Sequence, residues 1–289
     1  MVADKMIVSV IGAGGKMGTR VTNNLVKHPD TVELKFCETS AAGIAAIRER
    51  GYDTVPAETA VPASQIIILA VPDKIIQIVS VGIVKMMTPG STLVILDPAA
   101  AVARELALRD DCTFVVTHPC HPSYFLDQDT YEARHDYFGG VAGKQDIVMA
   151  KIQGSDDNFA KARSICEMMF APVEHSYVMG MRDIAFLEPT LVEILGATTL
   201  YAMAETVKEA ERRGIPRAAA ESFLSGHIYN LSSNFLGKMG PNVKVSDACM
   251  VAIDIGNRLV LREDWKKIWD DEVLDKAIAT MLHPENPKL

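Results

Sequence analysis

A short apolar strand, Met6 to Ile11, runs into Gly12-Ala13-Gly14-Gly15-Lys16-Met17-Gly18, and Glu38 closes the next strand twenty residues beyond Gly18. Glycines at such a junction let the backbone turn tightly and approach a pyrophosphate, which then rests on the N-terminus of the following helix. Gly12, Gly14, Gly15, Lys16, Met17 and Gly18 are therefore the expected cofactor contacts. Glu38 is placed to accept hydrogen bonds from a ribose 2′-hydroxyl and to repel a 2′-phosphate. No Arg or Lys follows it before Arg48, so NAD is expected over NADP. The spacing is Gly12-x-x-Gly15-x-x-Gly18, one residue longer than the strict fingerprint, and the flanking strand and helix carry the assignment more than the glycines do.

Two further groups could carry chemistry. In Thr117-His118-Pro119-Cys120-His121-Pro122, His118 and His121 can shuttle protons, and with a carboxylate they suit a divalent ion such as Zn²⁺, Mn²⁺ or Mg²⁺. The plainer role of a strand-end His is a backbone hydrogen bond, and Cys120 reads as a small packed side chain. Glu188 and Glu193 interrupt the apolar stretch Ile184 to Val207, where a carboxylate is costly unless paired, protonated or metal-bound. Glu188 precedes Pro189 and could simply end one helix before another. On a regular α-helix Glu188 and Glu193 point roughly 140° apart, so they reach one site only if Pro189 distorts the helix.

The elements that position these residues alternate. Strands are expected at 6–11, 32–37, 65–71, 91–96, 113–116, 146–152 and 173–178, with helices at 19–27, 41–50, 74–87 and 156–170. Such alternation implies a doubly wound parallel sheet with ligands at the carboxyl ends of its strands. Val71-Pro72-Asp73 are thereby expected beside the cofactor, and Asp97-Pro98 and Thr117-His118 facing cofactor or substrate. Residues 119–144 form a polar, aromatic loop longer than a connection needs, as loops over sites are. Beyond about Met181 the pattern is helical. The expected fold is an α/β Rossmann domain, 1–178, followed by an all-α domain, 179–289.

Composition sets outer bounds. A chain of 289 residues with 48% hydrophobic and 23% charged residues accommodates two domains and a large core. Its net charge of −8 disfavours nucleic acid or an anionic membrane as partner and leaves a small molecule. Five cysteines without a CxxC pair fit reduced, cytoplasmic thiols. The polar lead Val2 to Lys5 is not a signal peptide, and no uncharged stretch reaches the length of a membrane span. The apolar segments 184–207 and 250–261 are too much for one small helical domain to cover, so an obligate homodimer is expected.

The chain resembles the superfamily of 6-phosphogluconate and β-hydroxyacid dehydrogenases. Asp146-Ile147-Val148-Met149-Ala150-Lys151-Ile152-Gln153-Gly154-Ser155-Asp156-Asp157 is similar to that family's late strand and Gly-Asp turn. Ala204-Glu205 through Gly214-Ile215-Pro216 resembles the segment after its catalytic helix. The resemblance implies a catalytic Lys followed by an Asn near positions 188 to 193, where this chain has Glu188 and Glu193. The 118–123 turn, this replacement, and Val245-Ser246-Asp247-Ala248-Cys249 with Ile255-Gly256-Asn257-Arg258 resemble a bacterial branch with a phosphogluconate-dehydrogenase-type C-terminal domain. What that branch implies is NAD-dependent oxidation of the CH–OH group of a branched sugar acid, followed by a one-carbon shift. Catalysis would then fall to His118, His121, Glu188 and Glu193, with a divalent metal on His118 and Glu188. Oxidation without rearrangement, and an idle NAD-binding protein that has lost its lysine, are the competing readings.

Overall fold

The computed structural model describes residues 5–289, so the polar lead before Lys5 lies outside the described residues. The chain forms two compact units, one running to Leu187 and including Asp275–Leu289, the other Glu188–Leu274.

The first unit holds seven strands: β1 (Met6–Ile11), β2 (Val32–Cys37), β3 (Ile66–Leu69), β4 (Thr92–Ile95), β5 (Thr113–Pro119), β6 (Gln145–Gln153) and β7 (Val173–Val178). They form one sheet in the order β2-β1-β3-β4-β5-β6-β7. Its helices are α1 (Lys16–Leu25), α2 (Ala41–Glu49), α3 (Ala57–Ala63), α4 (Asp73–Met86), α5 (Ala99–Val102), α6 (Tyr131–His135), α7 (Asp156–Met169) and α8 (Met181–Ala185). β3 and β4 are apolar and buried along their whole length, as strands covered on both faces must be. Val21 and Leu25 of α1 with Ile165 and Met169 of α7 pack on one face of the sheet. Ala60 and Val61 of α3, Ile76 and Ile83 of α4, and Ile184 of α8 pack on the other. Two helical layers on a central sheet give the doubly wound architecture.

The sheet is not wholly parallel. β1 to β5 are parallel, but β6 runs antiparallel to β5, with His118 opposite Val148 and Pro119 opposite Ile147. A parallel successor needs a crossover of a dozen or more residues that returns the chain to the opposite edge. The long loop after β5 carries only the five-residue α6 and makes no such crossover, so the chain re-enters from the edge it left. Crossover helix α7 then sets β7 parallel to β6. Cys120 also departs from the expected packing, since it is exposed, whereas Cys37, Cys112 and Cys166 are buried.

In the second unit a π-helix, Phe186–Ala197, continues from α8 and is followed by α9 (Thr198–Arg212), α10 (Arg217–Phe235), α11 (Asp247–Leu259), a short 3₁₀ helix (Trp265–Trp269) and α12 (Asp271–Leu282), whose last two turns belong to the first unit. Pro189 lacks the N–H that an α-helix would use there, and its ring opposes the carbonyl four residues back; the wider i→i+5 register relieves both. Within one chain the segment 184–207 is not fully covered: Leu191, Val192, Leu200 and Tyr201 are exposed.

Candidate active site

The β1–α1 turn is built so that no side chain fits between backbones. Gly12 adopts φ +80°, and a Cβ there would lie 2.6 Å from the Ala70 carbonyl oxygen at the end of β3. A Cβ on Gly14 would drive into the backbone of Gly43 in α2, and one on Gly18 into the Gly12 carbonyl. α1 begins at Lys16 without a side-chain cap or an acidic residue in its first turn. Its leading N–H groups are thus kept for an anion.

Glu38 anchors the other side of this turn. One oxygen accepts from Gly14 N at 3.1 Å, and the other from Thr39 N and Ser40 N, both at 2.9 Å. Partial burial opposes its charge, but the N–H groups of Ser40, Thr39 and Gly14 outweigh that and hold the carboxyl below its usual range. Glu38 is therefore an anion that has already taken up the local amide donors, and a 2′-phosphate would meet charge without donors. Gly12, Gly14, Gly15, Glu38, Val71 and Pro72 line one cleft of about 1000 Å³. Lys16, Met17, Gly18 and Asp73 are not part of its lining. The cleft has an apolar wall that sequence reasoning missed, Val55 with Ile75, Ile78 and Val79 of α4. The only signal for it was that Ile75 and Ile78 lie on a helix face turned away from the core.

Substituting Glu38→Ala removes the repulsion and about 1.5–3 kcal/mol of charge-assisted hydrogen bonding to ribose. The ratio of NAD to NADP affinity should fall by roughly ten- to a hundredfold, read by titrating both coenzymes. Equal binding of the two by the unsubstituted protein would show that Glu38 does not select.

At the carboxyl ends of β4 and β5 two potential ligands converge. Asp97 follows β4, and one of its oxygens accepts from Ala99 N at 2.7 Å, which fixes the carboxylate over the start of α5. His118 Nδ1 lies 2.9 Å from the Leu96 carbonyl oxygen. Because a carbonyl only accepts, Nδ1 carries the proton and Nε2 presents its lone pair. A ligand atom of Asp97 and one of His118 lie within 4.8 Å of each other. That is of the order of the span between two donors on one ion, each about 2 Å from it, and the carboxylate and imidazole set suits Zn²⁺, Mn²⁺ or Mg²⁺. Asp97 was legible as a strand-end residue facing the site but not as a ligand.

His121 stands beside His118, ring centroids 6.3 Å apart. Its Nδ1 is 2.8 Å from the Phe138 carbonyl oxygen, so it too is oriented through Nδ1 with Nε2 presented. Burial lowers its pKa; the Phe138 carbonyl opposes this, while the charges of Arg20, His118 and Lys16 add to it, and the balance leaves the imidazole neutral at pH 7. Glu188 and Glu193 belong to the second unit, where the π-helix puts them at i and i+5. In this helix type i and i+5 are hydrogen-bond partners about one turn apart, so both carboxylates stand on one face.

Comparison with known proteins gives three consistent findings. Residues 126–282 match the family described as phosphogluconate dehydrogenase (decarboxylating) C-term. A Blautia hydrogenotrophica protein, described as D-apionate oxidoisomerase, is 65% identical over 285 residues, covering 99% of each chain, and a Pectobacterium atrosepticum protein of the same description is 39% identical with 98% of each covered. Among solved structures, a Cupriavidus necator semialdehyde dehydrogenase NAD-binding protein, in complex with calcium and NAD, superposes with a TM-score of 0.91 at 38% identity, covering 96% of this chain and 100% of that one.

Proposed function

Matched along nearly its whole length, the chain belongs to the family of the D-apionate oxidoisomerases, with their phosphogluconate-dehydrogenase C-terminal domain, and we propose that it performs their reaction. In this reading NAD takes hydride from C2 of D-apionate while the C2 hydroxyl gives up its proton. The hydroxymethyl group then shifts from C3 to the new C2 ketone, and the C3 hydroxyl becomes the ketone of 3-oxo-isoapionate. The observation that carries this reading is the pairing of Asp97 with His118 at the carboxyl ends of β4 and β5, on the same edge of the sheet as the ends of β1 and β3 that line the cofactor cleft.

His121 accepts the hydroxyl proton, for it is neutral and its Nε2 is bare. Asp97 and His118 would hold a divalent metal, and Glu188 is proposed as its third protein ligand. Glu188 is peptide-bonded to Leu187, which packs against the first unit's core, and that supports the assignment. A divalent ion held there would supply Lewis-acid stabilisation of the charge that develops on substrate oxygen. Glu193, one turn along the same π-helix face as Glu188, is the carboxylate we assign to the C3 hydroxyl proton during the shift.

The test is incubation with D-apionate and NAD, with and without chelator, following NADH and identifying the product. Metal-dependent NADH with 3-oxo-isoapionate supports the reading. Metal-dependent NADH with an unrearranged ketone gives a simple hydroxyacid dehydrogenase instead, and no NADH removes both.

The assembly we propose is a homodimer formed through the second unit. The helical run 181–212 is long and apolar enough to cross a membrane by length and composition, but Glu188 and Glu193 stand within it, and a protein surface covers such a helix at less cost. Phe223 and Tyr229 on α10 and Val251 and Leu259 on α11 are exposed as well. Sedimentation should give a dimer at micromolar concentration; a stable monomer refutes it. The free thiols fit a reducing compartment, the cytoplasm.

A further inference from the structure

One buried charge in the first unit has no part in the chemistry above. Arg20, on α1, is only 7% exposed. Its Nη2 donates to Gln145 Oε1 at 2.9 Å, while Nε and Nη1 find no hydrogen-bond acceptor. The guanidinium lies between two rings instead, 4.4 Å from the centroid of Phe138 and 5.4 Å from that of Phe170. Burial is severe enough to bring its pKa down to about 10, against the pull of Asp136. Rings can stabilise a desolvated cation, but a side chain of this kind inside a core is expensive and calls for a purpose.

The loop after β5 is shaped around it. Gly139 and Gly140 have φ of +79° and +91°. A Cβ on Gly139 would lie 2.8 Å from Arg20 Nη2, and one on Gly140 2.7 Å from Arg20 Nε, so the backbone presses directly on the guanidinium. Asp136 closes the turn by accepting from the N–H groups of Gly139, Val141, Ala142 and Gly143. Phe138 lies between these two fixtures. Its ring lies on Arg20 and its carbonyl oxygen receives the Nδ1–H of His121. His121 itself has φ +61°, a left-handed conformation that a residue with a side chain keeps only when its surroundings impose it.

We propose that Arg20 is a positioning residue: by clamping Phe138 to Gly140 against α1, it holds the Phe138 carbonyl where it fixes the ring of His121. The helix that starts at the cofactor turn thereby also sets the proton acceptor. This rests on the reading of His121 as that acceptor.

The test is a double-mutant cycle. Arg20→Met replaces a buried cation with an apolar chain of similar length, a change that cores often accept without loss of stability. It is expected to lower kcat about ten- to a hundredfold, with NAD affinity and melting temperature little changed and with partial rescue in Arg20→Lys. Because Arg20 acts through His121, Arg20→Met combined with His121→Gln should be no slower than His121→Gln alone. Additive losses, or an unchanged kcat in Arg20→Met, overturn the proposal. Phe138→Leu removes the ring and keeps the carbonyl, and it replaces Arg20→Met in the cycle if the latter does not fold. Nitrogen chemical shifts of His121 supply a readout independent of turnover. They should report the Nδ1–H tautomer in the wild type and a mixture in Arg20→Met; an unchanged tautomer again overturns the clamp. Full activity in His121→Gln would instead remove the role of His121 as base, with the chemical shifts still judging the clamp.

Discussion

His118→Ala is expected to lower kcat at least a thousandfold while leaving the dissociation constant for NAD within about twofold. The loss removes an imidazole whose Nε2 is aimed by a 2.9 Å hydrogen bond from Nδ1 to the Leu96 carbonyl. Stabilisation of a developing alkoxide by a bound cation is of the order of several kcal/mol, and each 1.36 kcal/mol is tenfold in rate. The proposed NAD site lies elsewhere, at the glycine turn and Glu38. Asp97→Asn is the more discriminating partner experiment. An Asn oxygen can still accept from Ala99 N, so the local fold survives and only the charge is lost. Its kcat should drop at least a hundredfold, with partial recovery at high metal concentration. Steady-state kinetics beside coenzyme titration decide the matter: if either variant keeps a tenth of wild-type turnover, the ligand assignment is wrong.

Gly18→Ala should weaken NAD binding by roughly ten- to a hundredfold, and it will lower the melting temperature as well. The added methyl meets the Gly12 carbonyl oxygen and the backbone of Ala13. No flexible side chain is there to yield, so the turn or α1 must move. Overpacking of this kind costs about 1–3 kcal/mol, and here the displaced atoms belong to the turn proposed to cradle the phosphates. Calorimetric titration with NAD, run beside thermal melting, separates the two effects. Tight binding in Gly18→Ala would mean that the cofactor does not use this turn.

Much of this was legible because the relevant signals are local. The unbroken apolar runs of β3 and β4, the glycine spacing and the position of Glu38 depend on neighbours a few residues away, and the structure has these elements where the pattern indicates them. Three features were not legible. The direction of β6 follows from the path of the loop before it, not from the residues of the strand. The role of Asp97 appears only when β4 and β5 lie side by side and bring it to His118. The register of the Glu188–Glu193 helix turned on Pro189: the proline was visible, but whether it would break, kink or widen the helix was not. Arg20 gave no signal either, since an arginine on a helix is ordinarily solvated and this one is buried by aromatic rings that arrive more than a hundred residues later.

The reversed β6 has a consequence for how the protein can change. Because the chain leaves β5 and re-enters β6 at one edge, with Cys120 N bonded to the Asp146 carbonyl at 2.9 Å, residues 120–144 never visit the other side of the sheet. They form a self-contained insert, closed by a single pair of strand ends, that can lengthen, shorten or be exchanged without shifting the register of any parallel strand. His121 and the turn that orients it lie within this insert, while Glu38 and the glycines lie outside it. The proposed proton acceptor and the proposed coenzyme-selecting residue thereby sit in separable parts of the chain, and the first can be re-oriented by changes in one contiguous stretch that leaves the second untouched.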